Sequence, residues 1–198
     1  METKTYLIVI MILLIAGEPI VQHLLKKKYR RQIDACFSAH QWEALEELLN
    51  KKIVRFLFSP FDLEYVRLNA SMAQGNRKRI DDQFDLLLRM RLNERQKSII
   101  CLNGFNYYLT ENDRKKTSRF YRLVNELKDE QIKRSVRISY DIFVEKGYRY
   151  LDEVLASYAT CSAEEKYVHE YLLSEMYRNQ GDEEQALHFE QLSKAHGR

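Results

Sequence analysis

Cysteine and histidine are the residue types in this chain that would bind a metal most strongly. Cys36 and His40 stand four residues apart, a spacing that puts both side chains on one face of a helix and suits a pair of zinc ligands. Structural zinc takes four ligands, and no second pair follows at a matching spacing. The cysteines and histidines further along the chain are scattered, at Cys101, Cys161, His169, His188 and His196. We therefore expect no metal site, and we expect Cys36 to be a small core residue.

Motifs for catalysis are missing from the sequence as well. His169-Glu170 begins like the helix of a zinc protease, but position 173 is Leu where a second histidine is required. The six glycines are dispersed singly, so there is no phosphate-binding loop, and no Gly-x-Ser-x-Gly motif occurs. Neighbouring carboxylates such as Asp81-Asp82 are common on any solvated helix. The sequence thus indicates no enzyme, no cofactor and no small-molecule substrate.

Basic residues form two clusters in the middle of the chain, Arg77-Lys78-Arg79 and Arg114-Lys115-Lys116. Residues 67–137 carry 17 Lys and Arg against 9 Asp and Glu, a net charge of +8, whereas residues 138–198 carry 6 against 12, a net charge of −6. Because a basic surface attracts acidic partners, we expect the middle of the chain to bind an acidic protein segment. The residues that we expect to contact it are Arg77, Arg79, Arg114 and Lys115.

The same charge leaves RNA binding open as an alternative, since a row of cations can follow a phosphate backbone. Two features argue against this alternative. The tyrosines recur at a spacing that places them on the inner faces of packed helices, and the acidic end of the chain repels nucleic acid. The uneven distribution of charge has two further explanations. The basic and acidic parts could attract each other, or the basic part could contact an anionic membrane leaflet. A protein partner is our preferred hypothesis, and nucleic acid is the less favoured one.

The elements that position these side chains repeat along the chain. Small or polar turn signals, each flanked by apolar residues at helical spacing, begin at His40, Gly75, Asn112, Gly147 and Gly181, in steps of 35, 37, 35 and 34 residues. Apolar residues at i, i+3, i+4 and i+7 are what stacked amphipathic helices need. The connector 58–61 is predicted to end the helix of Leu45, Leu48 and Leu49, because a residue before proline leaves the helical region. Paired helices are therefore predicted from residue 29 to 195.

The last of these units has a recognisable pattern. Ser174 and Tyr177 precede the Gly181-Asp182 turn, and Ala186 follows five residues after the glycine. This unit resembles the tetratricopeptide repeat, whose period is 34 residues; the earlier units share its spacing but little of its residue pattern. The resemblance implies an all-α protein, with a right-handed α-solenoid of four to five antiparallel helix pairs over residues 32–198 and a groove that binds proteins. An irregular helical bundle is the alternative.

The amino-terminal residues predict a membrane anchor. Every residue from Tyr6 to Ala16 is apolar, and a helix over 5–25 is long enough to cross a bilayer with one proline, Pro19, and one carboxylate, Glu18, inside it. An ionisable residue in a span is a candidate for function, although near the basic flank Glu18 can reach the interface. A buried helix of a soluble protein is a further alternative.

A basic juxtamembrane segment, 26–31, follows the predicted span directly. Its cations are Lys26, Lys27, Lys28, Arg30 and Arg31, whereas only Glu2 and Lys4 precede the apolar run. By the positive-inside rule the following domain stays in the cytoplasm. A cleaved signal peptide, the alternative, would have its cations before the apolar run.

The compartment and the function follow from these features. Three cysteines cannot all pair, which favours a reducing compartment. We therefore expect a single-pass protein of the cell membrane whose cytoplasmic repeat domain is a scaffold or adaptor for a partner peptide or helix. A membrane-associated RNA-binding module is the second hypothesis, and an enzyme without a recognisable motif is a distant third.

Overall fold

The prediction of an all-α protein is confirmed by a computed structural model, which describes the backbone of residues 2–197 and the side chains of residues 19–197. This described backbone contains helices and no strand. The helices are α1 (Glu2–Ser38), α2 (Trp42–Asn50), α3 (Lys52–Leu57), α4 (Pro60–Ala73), α5 (Arg77–Arg89), α6 (Glu94–Thr110), α7 (Arg114–Asn125), α8 (Glu130–Phe143), α9 (Leu151–Tyr158), α10 (Ala163–Gln180) and α11 (Glu183–His196).

The predicted span over 5–25 falls mainly on side chains outside the described residues, and so does Glu18. In the described part of the chain, no helix is long and apolar enough to cross a membrane. The chain divides into two compact units, Met1–Arg91 with α1 to α5 and Leu92–Arg198 with α6 to α11.

In the first unit, α1 to α4 share one apolar core. Its buried residues are Ile33, Leu45, Leu48, Leu49, Val54, Phe58, Leu63 and Ala70. The helix that starts at Trp42 ends at Asn50, and a separate short helix, α3, fills the stretch before the proline. Ser59 then caps α4 by accepting the amide N–H of Asp62 at 3.1 Å, so the break before Pro60 is confirmed. The helix that ends at this break is α3, and not the helix of Leu45, Leu48 and Leu49 as predicted. Helix α5 packs antiparallel to α4 after a tight turn.

Left-handed residues end the leading helix at four of the predicted turn points. His40, Gly75, Asn112 and Gly181 have φ of 53°, 64°, 55° and 89°. The amide N–H of the next residue reaches the carbonyl five residues back, as from Asp182 to Tyr177 at 2.9 Å. This is the Schellman arrangement, which satisfies carbonyls that a helix end leaves free.

The helices that follow these turns also begin alike. Side-chain oxygens of Asn76, Asp113 and Asp182 accept the amide N–H of the third residue after them, at 3.1–3.2 Å. The residue four positions after each of these caps points into the interior. The same is true of the residue four positions after Gln41, which precedes α2. These residues are Leu45, Ile80, Thr117 and Ala186, each no more than 2% exposed. One local geometry therefore builds four helix pairs.

In the second unit each helix packs against neighbours that are close in the chain. Helix α8 contacts α6, α7 and α10, while α10 forms an antiparallel pair with α11. Stacked rings join these helices: Tyr121 of α7 lies 4.0 Å from Tyr140 of α8 by ring centroid, and Tyr177 of α10 lies 5.6 Å from Phe189 of α11.

The predicted turn at Gly147 differs from the other four. The left-handed residue is Lys146, with φ of 56°, and the connection runs from 144 to 150. Asp141 holds this connection by two hydrogen bonds. Its backbone carbonyl accepts the amide N–H of Gly147 at 2.8 Å, and its carboxylate accepts the amide N–H of Arg149 at 3.0 Å. Because this connection is long, α8 and α9 form no tight hairpin, and both pack against α10. The prediction that α8 and α9 form a helix pair around Gly147 is therefore wrong.

We expect Gly104→Ala to destabilise the protein. A Cβ on Gly104 of α6 would lie 2.1 Å from the Phe120 ring of α7, and Phe120 is itself buried. Overpacking of this kind costs about 1–3 kcal/mol, more than the roughly 1 kcal/mol that alanine gains over glycine in a helix. Urea unfolding measures the change. Phe120→Leu in the same chain should recover part of the loss, and an increase in stability of the single variant would contradict the prediction.

We also expect Cys101 to resist thiol reagents. Its side chain is fully buried, and burial raises the pKa of its thiol to about 11, against the smaller opposing effect of Lys97. Since the thiolate is the reactive form, at about pH 8 it should be roughly a hundredfold scarcer than for an ordinary cysteine. Mass spectrometry after iodoacetamide treatment should find Cys36 and Cys161 modified before Cys101, with all three equal in urea. Equal modification in the folded chain would contradict this.

Candidate binding groove

A groove of about 1280 Å³ lies in the first unit between α2, α4 and α5. We call it the α2 groove. One wall comes from residues 40–47, 49 and 50, and the other from Arg67, Ala70, Ser71 and Gln74 of α4 with Arg79, Asp82 and Gln83 of α5. Small-molecule sites usually measure about 300–1,000 Å³. The α2 groove is larger, which suits a stretch of polypeptide.

The sequence of α2 explains the wall that it contributes. Leu45, Leu48 and Leu49 recur at helical spacing and are buried, so the helix is fixed with one side inward. Glu43 and Glu47 fall on other sides of the helix and are exposed at the groove. Burial of the leucines therefore decides where the carboxylates point.

Arg67 fixes the two walls to each other. Its Nε donates to both carboxylate oxygens of Glu46 on α2, at 3.0 and 3.1 Å, and its Nη1 donates to Glu64 at 2.6 Å. Nη2 donates to Oδ1 of Asn50 at 3.0 Å. A guanidinium group with three partners, itself only 17% exposed, holds its position better than a free surface cation.

Carboxylates outnumber cations along the groove. Glu43, Glu46, Glu47 and Asp82 face two guanidinium groups, of Arg67 and Arg79, and Arg67 is already paired with Glu46. The groove is therefore acidic, and its charge attracts cationic groups.

Trp42 supplies an apolar contact at one end of the groove. It is the first residue of α2 and is half-buried, and its ring meets Phe37 edge-on at 5.3 Å and His40 at 5.4 Å. A partly exposed tryptophan held by neighbouring rings is a frequent anchor in protein interfaces. No binding role for Trp42 follows from the sequence, because a partly buried position cannot be recognised without the helices packed around it.

Gln83 has a buried acceptor without a donor. Among the described residues, its Oε1 has no hydrogen-bond partner, although the residue lines the groove. Leaving such an oxygen unpaired costs about 1–3 kcal/mol. A ligand that turned this amide toward the groove and donated to it would recover that cost.

The predicted partner-binding residues are divided between the two units. All four are exposed and belong to the first turns of their helices, Arg77 and Arg79 on α5 and Arg114 and Lys115 on α7. Only Arg79 lines the α2 groove. A helix N-terminus disfavours cations, so neither cluster is there to stabilise its own helix.

Cys36 and His40, whose spacing suits two zinc ligands on one helix but which we did not expect to bind metal, are not a pair in the structure. Helix α1 ends at Ser38, so Cys36 and His40 do not share a helix face, and Cys36 packs against the core of the first unit as expected. Across the described side chains, no group of three or more His, Cys, Asp or Glu could hold a metal ion.

The second unit contains a buried carboxylate, Glu170, whose burial the sequence did not predict. Glu170 of α10 is fully buried, accepts the hydroxyl of Tyr158 at 2.9 Å, and lies 2.9 Å from Nδ1 of His196. Burial and the Glu170 carboxylate raise the pKa of Tyr158. These bonds tie α9, α10 and α11 together. The sequence does not show that Glu170 is buried, because a glutamate in an amphipathic helix normally lies on the exposed side.

Comparisons with known protein families, with curated proteins and with solved structures gave no match to this chain.

We expect Gln83→Leu to stabilise the free protein, because the substitution removes the unpaired buried oxygen. The gain in unfolding free energy should be about 1 kcal/mol or more, measured by urea unfolding. Gln74→Leu is the matched control in the same groove, and it should bring no gain, since Nε2 of Gln74 already donates to the carbonyl of Ala70 at 3.0 Å. Equal effects of the two substitutions would contradict the prediction.

Proposed function

We propose that this chain is a membrane-anchored adaptor that binds a segment of a partner protein in the α2 groove. The observation that carries the proposal is the groove itself, in which exposed carboxylates surround a fixed guanidinium group and a half-buried tryptophan. Such a surface offers charge complementarity and one apolar anchor, the combination by which interfaces select peptides.

The repeated helix pairs support the adaptor part of the proposal. Four tight turns with the same cap geometry separate paired helices, as in tetratricopeptide-like repeats. In our proposal the pairs stack into a right-handed α-solenoid, because each pair needs its neighbours to cover its apolar faces. Stacked pairs leave one row of helices lining a groove, and α2 with α5 would belong to that row.

The sequence supports the anchor. The predicted span over 5–25 has Ile20, Val21 and Leu24 near its end, each more than half exposed, and the basic segment 26–31 follows it directly. We propose that this stretch crosses the cell membrane once, with the helical domain in the cytoplasm. Tethering then raises the effective concentration of the groove near other membrane proteins.

The charge of the groove changes the partner that we expect. The basic clusters alone suggest an acidic segment, but around Arg79 the carboxylates dominate. We therefore propose a segment with two or more lysine or arginine residues and one apolar side chain for Trp42. Such a surface repels nucleic acid, which makes RNA the weaker candidate for this groove.

A photo-crosslinking amino acid at Glu47, inside the groove, tests this function in native membranes. Asp34 is the matched control, an exposed carboxylate of the same unit outside the groove. We expect a discrete crosslinked protein from position 47 and none from position 34. Mass spectrometry of the adduct then identifies the contacted segment.

Binding of that segment as a synthetic peptide completes the test. Glu43→Lys with Glu47→Lys should weaken it by about tenfold or more, and Asp34→Lys should leave it unchanged. Crosslinks of equal yield from positions 34 and 47, or no loss of affinity on charge reversal, would exclude the α2 groove. A crosslink that nuclease abolishes, with affinity falling by about a thousandfold between 50 and 200 mM salt, would point to RNA instead.

A further inference from the structure

Helix α3 presents an apolar face that stays exposed among the described side chains of its unit. Phe56 is 71% exposed and Ile53, three residues before it on the same side, is 37% exposed. Val54, on the opposite side, is fully buried in the core of the first unit. The helix is therefore held firmly by one side while an aromatic ring and an aliphatic side chain point outward.

Cations surround these apolar side chains. Lys51 and Lys52 precede them and Arg55 lies between them, all exposed, and α3 carries no acidic residue. Lysine and arginine around an exposed aromatic residue are typical of surfaces that lie in the headgroup region of a membrane.

The basic segment of α1 lies beside α3. The Nζ of Lys26 is 5.4 Å from the ring centroid of Phe58, which follows α3 directly and is buried in the same core. Phe56 is two residues before Phe58, so their Cα atoms are within about 7 Å of each other. Lys26 of the basic segment thus lies near the carboxyl end of α3, which carries cations of its own.

Exposed apolar side chains of α1 precede Lys26 along the helix. Leu24 is two residues from Lys26, a rise of about 3 Å along the helix, and Leu24, Val21 and Ile20 are all more than half exposed. Exposed apolar side chains of α1 therefore lie next along the helix to Lys26, the cation that contacts Phe58 at the end of α3.

We propose that α3 contacts an anionic lipid surface, with Phe56 and Ile53 in the interfacial region and Lys52 and Arg55 among the headgroups. This inference goes beyond the adaptor function, because α3 lies outside the α2 groove and its lipid contact does not require 5–25 to span. The contact would fix the orientation of the first unit at the membrane. The charges favour lipid over a second copy of the chain, whose α3 would bring the same cations and repel.

Tryptophan fluorescence in lipid vesicles tests this contact. The full chain with Phe56→Trp is reconstituted into phosphatidylcholine vesicles, with or without an equal amount of phosphatidylglycerol, in which the phosphatidylcholine is brominated near the top of its acyl chains. The parent chain, with Trp42 as its single tryptophan, gives the baseline. Leu86→Trp is the matched control, an exposed apolar position on α5, which packs on α4.

We expect the Phe56→Trp emission to shift to the blue and to be quenched in vesicles that contain phosphatidylglycerol, while Leu86→Trp stays at the baseline. Adding Lys52→Gln and Arg55→Gln should lower the ratio of docked to undocked protein by roughly fivefold for each charge removed. Quenching no greater than for Leu86→Trp, or equal in vesicles without phosphatidylglycerol, overturns the proposal. A blue shift without quenching also overturns it, since protein then covers Phe56.

Extraction of the same vesicles with alkaline carbonate separates this inference from the proposed anchor. If the chain is extracted although Phe56→Trp is quenched before extraction, the span over 5–25 fails and the lipid contact of α3 stands. If the chain resists extraction and Phe56→Trp is not quenched, the anchor stands and the lipid contact fails.

Discussion

Covering the apolar side of short helices is the constraint on which the rest of this structure depends. An amphipathic helix of 12 to 18 residues, as α4 to α8, α10 and α11 are, gains little stability alone. A tight turn returns the chain at once, so that the next helix covers the first. The left-handed residue and the cap after it satisfy the backbone groups of the turn, and a small or apolar residue four positions after the cap, such as Ala186, enters the interior.

The groove follows from the same constraint. Once Leu45, Leu48 and Leu49 bury one side of α2, its glutamates have to face outward, and Arg67 of α4 pairs with one of them. That ion pair joins α2 to α4 through two residues, Glu46 and Arg67, that are 21 positions apart in the chain. The remaining carboxylates stay exposed, so a surface made by packing acquires a charge that a partner can recognise. Burial of the leucines of α2 thus determines which charges the α2 groove exposes.

Helix boundaries were the most predictable part of the fold, because caps and turn residues are local. The ends near Ser59, Gly75, Asn112 and Gly181 all lie where the sequence placed them. The turn at Gly147 was not predictable, since it depends on bonds from Asp141 and from Asn179 of α10, whose amide donates to the carbonyl of Gly147 at 3.1 Å. A side chain 32 positions away leaves no periodic signal.

Composition and spacing by themselves determined the all-α class, the places of most turns and the unusual amino-terminal run with its basic flank. These depend on local propensity and on short-range patterns, which a linear sequence contains in full. Only the tertiary structure decided which charged side chains share a surface: Arg79 lies at the α2 groove while Arg77 does not, Glu170 is buried, and Phe56 stays uncovered. The physical reason is that burial and pairing are set by helices packed side by side, and their neighbours in space are distant in the chain.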